Sequence, residues 1–172
     1  EVGRLLRKQR RDGSWPDVDY ANQDTTHWKP IEHLRNCLLM AQAYAGPKPA
    51  LKADPELRSG LNRGLNYWLK HDFRRPWWFD SIGITSVLGN IMLLFEDELT
   101  ERQLADGAKI LSRATLSATG QNLVWMSSIT AVRGILQRDP GLVSKAYAHI
   151  ASEIRISKGE GIQQDHSFHQ HG

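Results

Sequence analysis

The feature that most constrains this chain is an apolar period of helical type that persists almost from end to end, interrupted chiefly by helix-starting signals. Ile31, Leu34, Leu38, Ala41 and Ala45 recur at i, i+3, i+4 spacing and so share one helix face. Asp54-Pro55 reads as an N-cap followed by proline at the first helical position, and Leu57, Leu61, Leu65, Trp68 and Leu69 form the face behind it. Ile84, Val87, Leu88, Ile91 and Leu94 predict a further helix within 81–95. Thr100-Glu101-Arg102-Gln103 fits a capping box, with Leu104, Ala108 and Leu111 following at helical spacing. The stretch 122–137 is helical again, and Asp139-Pro140 repeats the N-cap and proline signal for a helix reaching Ile154. Val2, Leu5 and Leu6 read as helix at the start. No segment alternates as a β-strand does. The chain is therefore expected to be all-α, with short loops making consecutive helices antiparallel neighbours.

Four of the loops carry unusual residues: 12–17 (DGSWPD), 74–80 (RRPWWFD), 118–122 (ATGQN) and 159–172. Large aromatics and polar groups recurring in loops suggest that several of them line one common surface. That arrangement suits a helical toroid with a cleft across one end. The 172 residues, 40% hydrophobic and 24% charged, suffice for one domain with its own core. The balance of 22 basic against 19 acidic residues gives a net charge of only +3, without the concentrated basic patch of a nucleic-acid binder. The run 4–11 (RLLRKQRR) reads as a solvated helix face. Cys37, the single cysteine, lies within an apolar helical pattern and reads as a buried inert thiol. No stretch reaches the length of a membrane span, and no signal peptide is recognisable. Both ends look cut, at Glu1 within a helical pattern and at Gly172 after a cluster of histidines, so a larger parent protein is expected.

Three places could carry chemistry. After Pro76, Trp77 and Trp78 can both present flat faces on which sugar rings stack; the alternative is that they plug the core between helices. Asn122 can be an ordinary N-cap, or an amide donor aimed at a carboxylate whose charge grows during proton abstraction. The segment 165–171 (DHSFHQH) brings three imidazoles together. Metal binding, acid–base work and plain surface histidines are all compatible with that spacing.

Four blocks, in order, resemble polysaccharide lyase family 8, the hyaluronate, chondroitin AC and xanthan lyases. They are DGSWPDVDY (12–20), followed by a helix beginning His33-Leu34; WWFDSIGI (77–84); TGQNLVWMSSI (119–129); and DHSFHQHG (165–172). The resemblance spans nearly the whole chain. It implies an incomplete α/α toroid of antiparallel helical hairpins, followed in the parent chain by C-terminal β-sandwich domains absent here. Residues 1–172 would then be part of one α-helical catalytic domain. By the same resemblance, Asn122 holds and neutralises the uronate carboxylate and His171 is the catalytic histidine. Trp77 and Trp78 position the sugar chain, with Gln121 and Trp125 as further substrate-binding residues. The catalytic tyrosine, and the arginine and glutamate that support it, would lie beyond Gly172. Some positions depart from the family pattern. Pro76 stands where asparagine is usual, His166 replaces a glycine and can change the loop's backbone angles, and Trp125 takes the place of a small acidic residue.

The implied activity is β-elimination in a uronic-acid-containing polysaccharide, needing neither metal nor cofactor. Neither a nucleic acid nor a membrane is expected as partner, and the implied location is secreted or periplasmic. Two rivals remain at this level. One is a glycoside hydrolase working through Asp17, Asp19 or Asp80, whose inverting form requires carboxyls roughly 6.5–9.5 Å apart. The other is a carbohydrate-binding helical domain without catalysis.

Overall fold

The computed structural model describes residues 1–48, 51, 54–75, 77–159 and 161–169. Its helices are α1 (Val2–Lys8), α2 (Ile31–Ala45), α3 (Pro55–His71), α4 (Ile84–Leu94), α5 (Glu101–Leu111), α6 (Gly120–Leu136) and α7 (Pro140–Glu153). The starts follow the expected chemistry. Asp54 accepts hydrogen bonds from the N–H groups of Glu56 and Leu57, Thr100 and Gln103 close a reciprocal capping box, and Asp139 accepts from the Leu142 N–H.

Consecutive helices pair as antiparallel hairpins, α2 with α3, α4 with α5 and α6 with α7. The first helix of each hairpin packs on the next, α2 on α4 and α4 on α6, while α3 meets α5 in a second row. This is an arc of an α/α toroid. The core runs between the rows and is built from Leu34, Met40, Leu57, Leu61, Leu65, Trp68, Ile84, Leu88, Ile91 and Met92. Each such side chain contributes roughly 1.5–3 kcal/mol by leaving water. Basic residues of the 4–11 run lie exposed around the buried Leu5. Cys37 is fully buried, and burial pushes its thiol pKa up. No helix of the described residues is long and apolar enough to cross a membrane.

Two expectations need correction. The 12–17 loop does not display its tryptophan: Trp15 is wholly buried, and its indole N–H donates to the Leu5 carbonyl at 3.0 Å. The adjoining His33 is buried too, its Nε2 donating to Gly64 O at 2.8 Å. That fixes Nδ1 as the acceptor of the Tyr20 hydroxyl at 2.9 Å, and the same hydroxyl accepts the Trp15 N–H at 3.0 Å. Residues 13–15 of the loop are thus stapled to α2 and α3 as core, while Asp12, Pro16 and Asp17 stay exposed.

The histidine-bearing segment, expected as an open loop, contains a small antiparallel hairpin of β1 (Gly161–Ile162) and β2 (Phe168–His169). Asp165 closes its turn by accepting from the Ser167 N–H and hydroxyl. Two-residue strands are too short to leave an alternation in sequence.

Candidate active site

The loop after α3 begins with Asp72, which adopts a left-handed conformation (φ 45°) and ends the helix by donating its N–H to Trp68 O at 2.8 Å. The chain re-enters helical geometry through a π turn, Phe79–Gly83, running straight into α4. A π turn holds one residue more than an α turn, a device frequent at functional sites. Trp77 sits just before it at φ 61°, a conformation costing of order 1–3 kcal/mol for a residue with a side chain. Its carbonyl accepts the Ser81 N–H at 2.9 Å. Trp77 is 64% exposed and Trp78 40% exposed, so neither plugs the core.

Of the two readings open for Asn122, the N-cap does not hold. The helix starts earlier, with Thr119 at the N-cap and Asn122 in the first turn. Gly120 stands in the left-handed region (φ 59°), and its N–H donates to Glu153 Oε2 at 3.0 Å, tying the start of α6 to the end of α7. Asn122 is 7% exposed, and its carboxamide makes no hydrogen bond to a described residue.

Trp77 and Asn122 line the same cleft, of about 360 Å³, together with Ser81, Thr115, Ser117, Ala118, Thr119 and Met126. One wall is the Trp-bearing turn; the other is the loop between α5 and α6. The N-terminus of α6 meets the cleft through Thr119 and Asn122, and the positive end of a helix dipole favours an anion there. Just outside, Trp78 packs edge-on against Trp125 with ring centroids 6.3 Å apart. A Cβ on Gly83 would lie 2.9 Å from the Trp78 ring, so glycine is what lets that ring lie down. Gln121 is exposed in the same first turn of α6. Two of the four unusual loops therefore share one surface.

His171 lies outside the described residues, as do Pro76 and Gln170. His166 takes φ 65°, so the backbone keeps a geometry that glycine adopts without strain. Among the described residues no His, Cys, Asp or Glu cluster could hold a metal ion.

None of the hydrolase candidates lines the cleft. Asp17 pairs with Lys8 at 2.9 Å, a hydrogen bond that lowers its pKa. Asp19 accepts the Ala21 N–H within its own turn. Asp80 is held between two guanidiniums, Arg74 at 2.5 Å and Arg113 at 3.1 Å. Sequence reading missed Arg113. Its only signal was a basic residue between an amphipathic helix and a polar loop, which is common on any surface.

The family and the fold are those of known proteins. A family model, "Polysaccharide lyase family 8, N terminal alpha-helical domain", matches residues 2–172. Chondroitinase-AC of Pedobacter heparinus is 28% identical over 169 residues, covering 94% of this chain and 24% of that protein. Hyaluronate lyase of Thermasporomyces composti is 28% identical over 174 residues, covering 91% and 21%. A solved chondroitinase AC lyase is similar with a TM-score of 0.91 at 26% identity, over 99% of this chain and 26% of that one. The chain thus spans about a quarter of the length of these relatives. With the family model matched over residues 2–172 and a solved relative of the same fold, this chain belongs to polysaccharide lyase family 8, as part of its N-terminal α-helical domain.

Proposed function

We propose that this domain supplies the sugar-stacking and carboxylate-binding part of the active site of a polysaccharide lyase. The parent enzyme cleaves uronic-acid-containing polysaccharides of glycosaminoglycan or xanthan type by β-elimination. One observation carries the reading: a nearly buried asparagine amide without a hydrogen-bond partner among the described residues shares a cleft with a widely exposed tryptophan.

The hard step is removal of the weakly acidic C5 proton of the uronate. As it leaves, negative charge moves onto the carboxylate. The Asn122 N–H groups donate to that carboxylate, and the N-terminus of α6 adds a favourable field. One such donor, aimed where charge develops, is worth roughly 2.7–4 kcal/mol in comparable sites. Trp77 and Trp78 hold the sugar rings, with Trp125 and Gln121 extending the contact. His171 and a tyrosine from the parent chain beyond residue 172 exchange the proton and assist the leaving O4. The product is a 4,5-unsaturated uronate, and neither metal nor cofactor is required. Further toroid helices and C-terminal β-sandwich domains complete the parent, which acts outside the cytoplasm on its polymeric substrate.

The test is near-UV absorbance on hyaluronan, chondroitin sulfate and xanthan, with the full-length parent and its Asn122→Ala and His171→Ala variants. A rise with the parent is expected, falling about 10²–10³-fold in kcat for Asn122→Ala and lost with His171→Ala. Release of saturated sugars without any rise would overturn the reading. Polymer binding that survives both substitutions, with no product at all, would point instead to a non-catalytic binding domain.

A further inference from the structure

We propose that Arg113 is a positioning residue that clasps the two walls of the cleft together, setting where Trp77 stands relative to Asn122. The inference rests on the lyase reading only for its kinetic consequence.

Arg113 follows α5, at the root of the loop whose residues Thr115 to Thr119 form one wall and lead into Asn122. Its guanidinium reaches back to both ends of the opposite wall. Nη2 pairs with Asp72 at the end of α3, and Nη1 donates to Asp80 Oδ1 in the π turn at 3.1 Å. The Arg113 and Asp80 side chains are only 14% and 13% exposed, so water screens their pairing weakly. Arg74, inside the Trp-bearing loop, closes on Asp80 through Nε at 3.2 Å and Nη2 at 2.5 Å. Asp80 therefore receives one guanidinium from each wall.

Besides this clasp, the segment is held by the Ser81 N–H on the Trp77 carbonyl at 2.9 Å and by Arg75 Nε on Asp24 O at 3.4 Å, neither of which reaches the opposite wall. Trp77 is mostly exposed, so packing does not hold its ring, and its left-handed backbone must be imposed from outside the residue. The segment containing it is anchored by Asp72 on one side and by Asp80 on the other, and both anchors end on Arg113. A planar fork with several donors can serve two carboxylates in fixed directions; the single ammonium of lysine cannot.

The experiment uses the full-length parent with Arg113→Lys, which keeps the charge, in wild-type and Trp77→Ala backgrounds. With chondroitin sulfate oligosaccharide, Arg113→Lys is expected to raise KM about tenfold with kcat within about threefold, the penalty of a displaced binding group. In the Trp77→Ala background the same change should add less than about twofold, since the two residues act as one. Equal effects in the two backgrounds, or an unchanged KM, overturn the proposal. A readout independent of turnover is the ¹⁹F spectrum of the parent with 5-fluorotryptophan, the Trp77 line assigned by its loss in Trp77→Ala. Arg113→Lys should shift or broaden that line, and Asp72→Asn should do the same should Arg113→Lys fail to fold. An unmoved Trp77 line in a folded variant overturns the clasp whatever the enzyme's reaction. A moved line in a parent that yields no unsaturated product leaves the clasp standing while the lyase reading falls.

Discussion

His33 shows how one side chain can make a helical core sensitive to acid. Burial is the main cause that lowers its pKa from the ordinary 6.5 to about 4, against the hydrogen bond to Gly64 O. The native state therefore holds the imidazole neutral where the unfolded chain protonates it. The resulting stability is full above pH 6.5 and is lost as pH falls from there to about 4, an effect of about 3 kcal/mol. Urea unfolding at pH 7.0 and 4.5 measures it, and His33→Phe should flatten the dependence in that window. A second prediction concerns Gly83. Gly83→Ala places a methyl against the Trp78 ring, so the ring must move and oligosaccharide affinity should fall about tenfold. Isothermal titration calorimetry reads this, with a thermal melt to confirm that the fold persists. At this scale the sequence was only partly informative. The residue type of Asn122 was legible, but its place inside the first turn of α6 was not, because Thr-Gly-Gln-Asn offers two plausible caps. The fate of Trp15 was hidden for a similar reason: a turn-rich DGSWP segment looks the same whether its tryptophan faces solvent or the core.

Helices were the most legible elements, since each boundary carries its own chemistry. Asp54-Pro55, the Thr100–Gln103 box and Asp139-Pro140 each start a helix where the spacing predicts one. Removing such a cap leaves first-turn N–H groups without a partner. Asp54→Ala is expected to lower unfolding free energy by about 1 kcal/mol, seen as a lower denaturant midpoint with an unchanged slope. The turn before α4 was less legible. Apolar spacing from Ile84 onwards says nothing of whether the preceding turn holds four residues or five, because the choice is made by the neighbours it must reach. Arg113 was invisible on the same ground. Its partners Asp72 and Asp80 lie 41 and 33 residues away in sequence, and no local pattern connects them.

For the molecule as a whole, the sorting of tryptophans separates scaffold from surface. Trp15, Trp28 and Trp68 are buried at 0–3% exposure, whereas Trp77, Trp78 and Trp125 stand at 38–64%. Acrylamide should therefore quench one set readily and the other hardly at all. Saturating chondroitin sulfate oligosaccharide should protect the accessible set in the full-length parent, and Trp77→Ala with Trp78→Ala should remove most of that protection. Unprotected emission at saturating ligand would place the sugar elsewhere. The two-row arrangement was legible because hairpins of amphipathic helices have few other ways to bury their faces. The cleft itself was not, since it arises only when loops remote in sequence are brought to one end of the rows.

The π turn has a consequence for heredity. In regular helix, a residue added or removed rotates everything before it by about 100° relative to everything after, whereas a π turn houses one extra residue and spares the chain that rotation. Loss of one codon within 79–83 would let the turn relax to ordinary helix with the chain on either side nearly in register, so α4 keeps its core face and the Trp-bearing loop is shortened by one residue. A lineage could gain or lose that one residue in a single genetic event without first losing the register of the helix behind it.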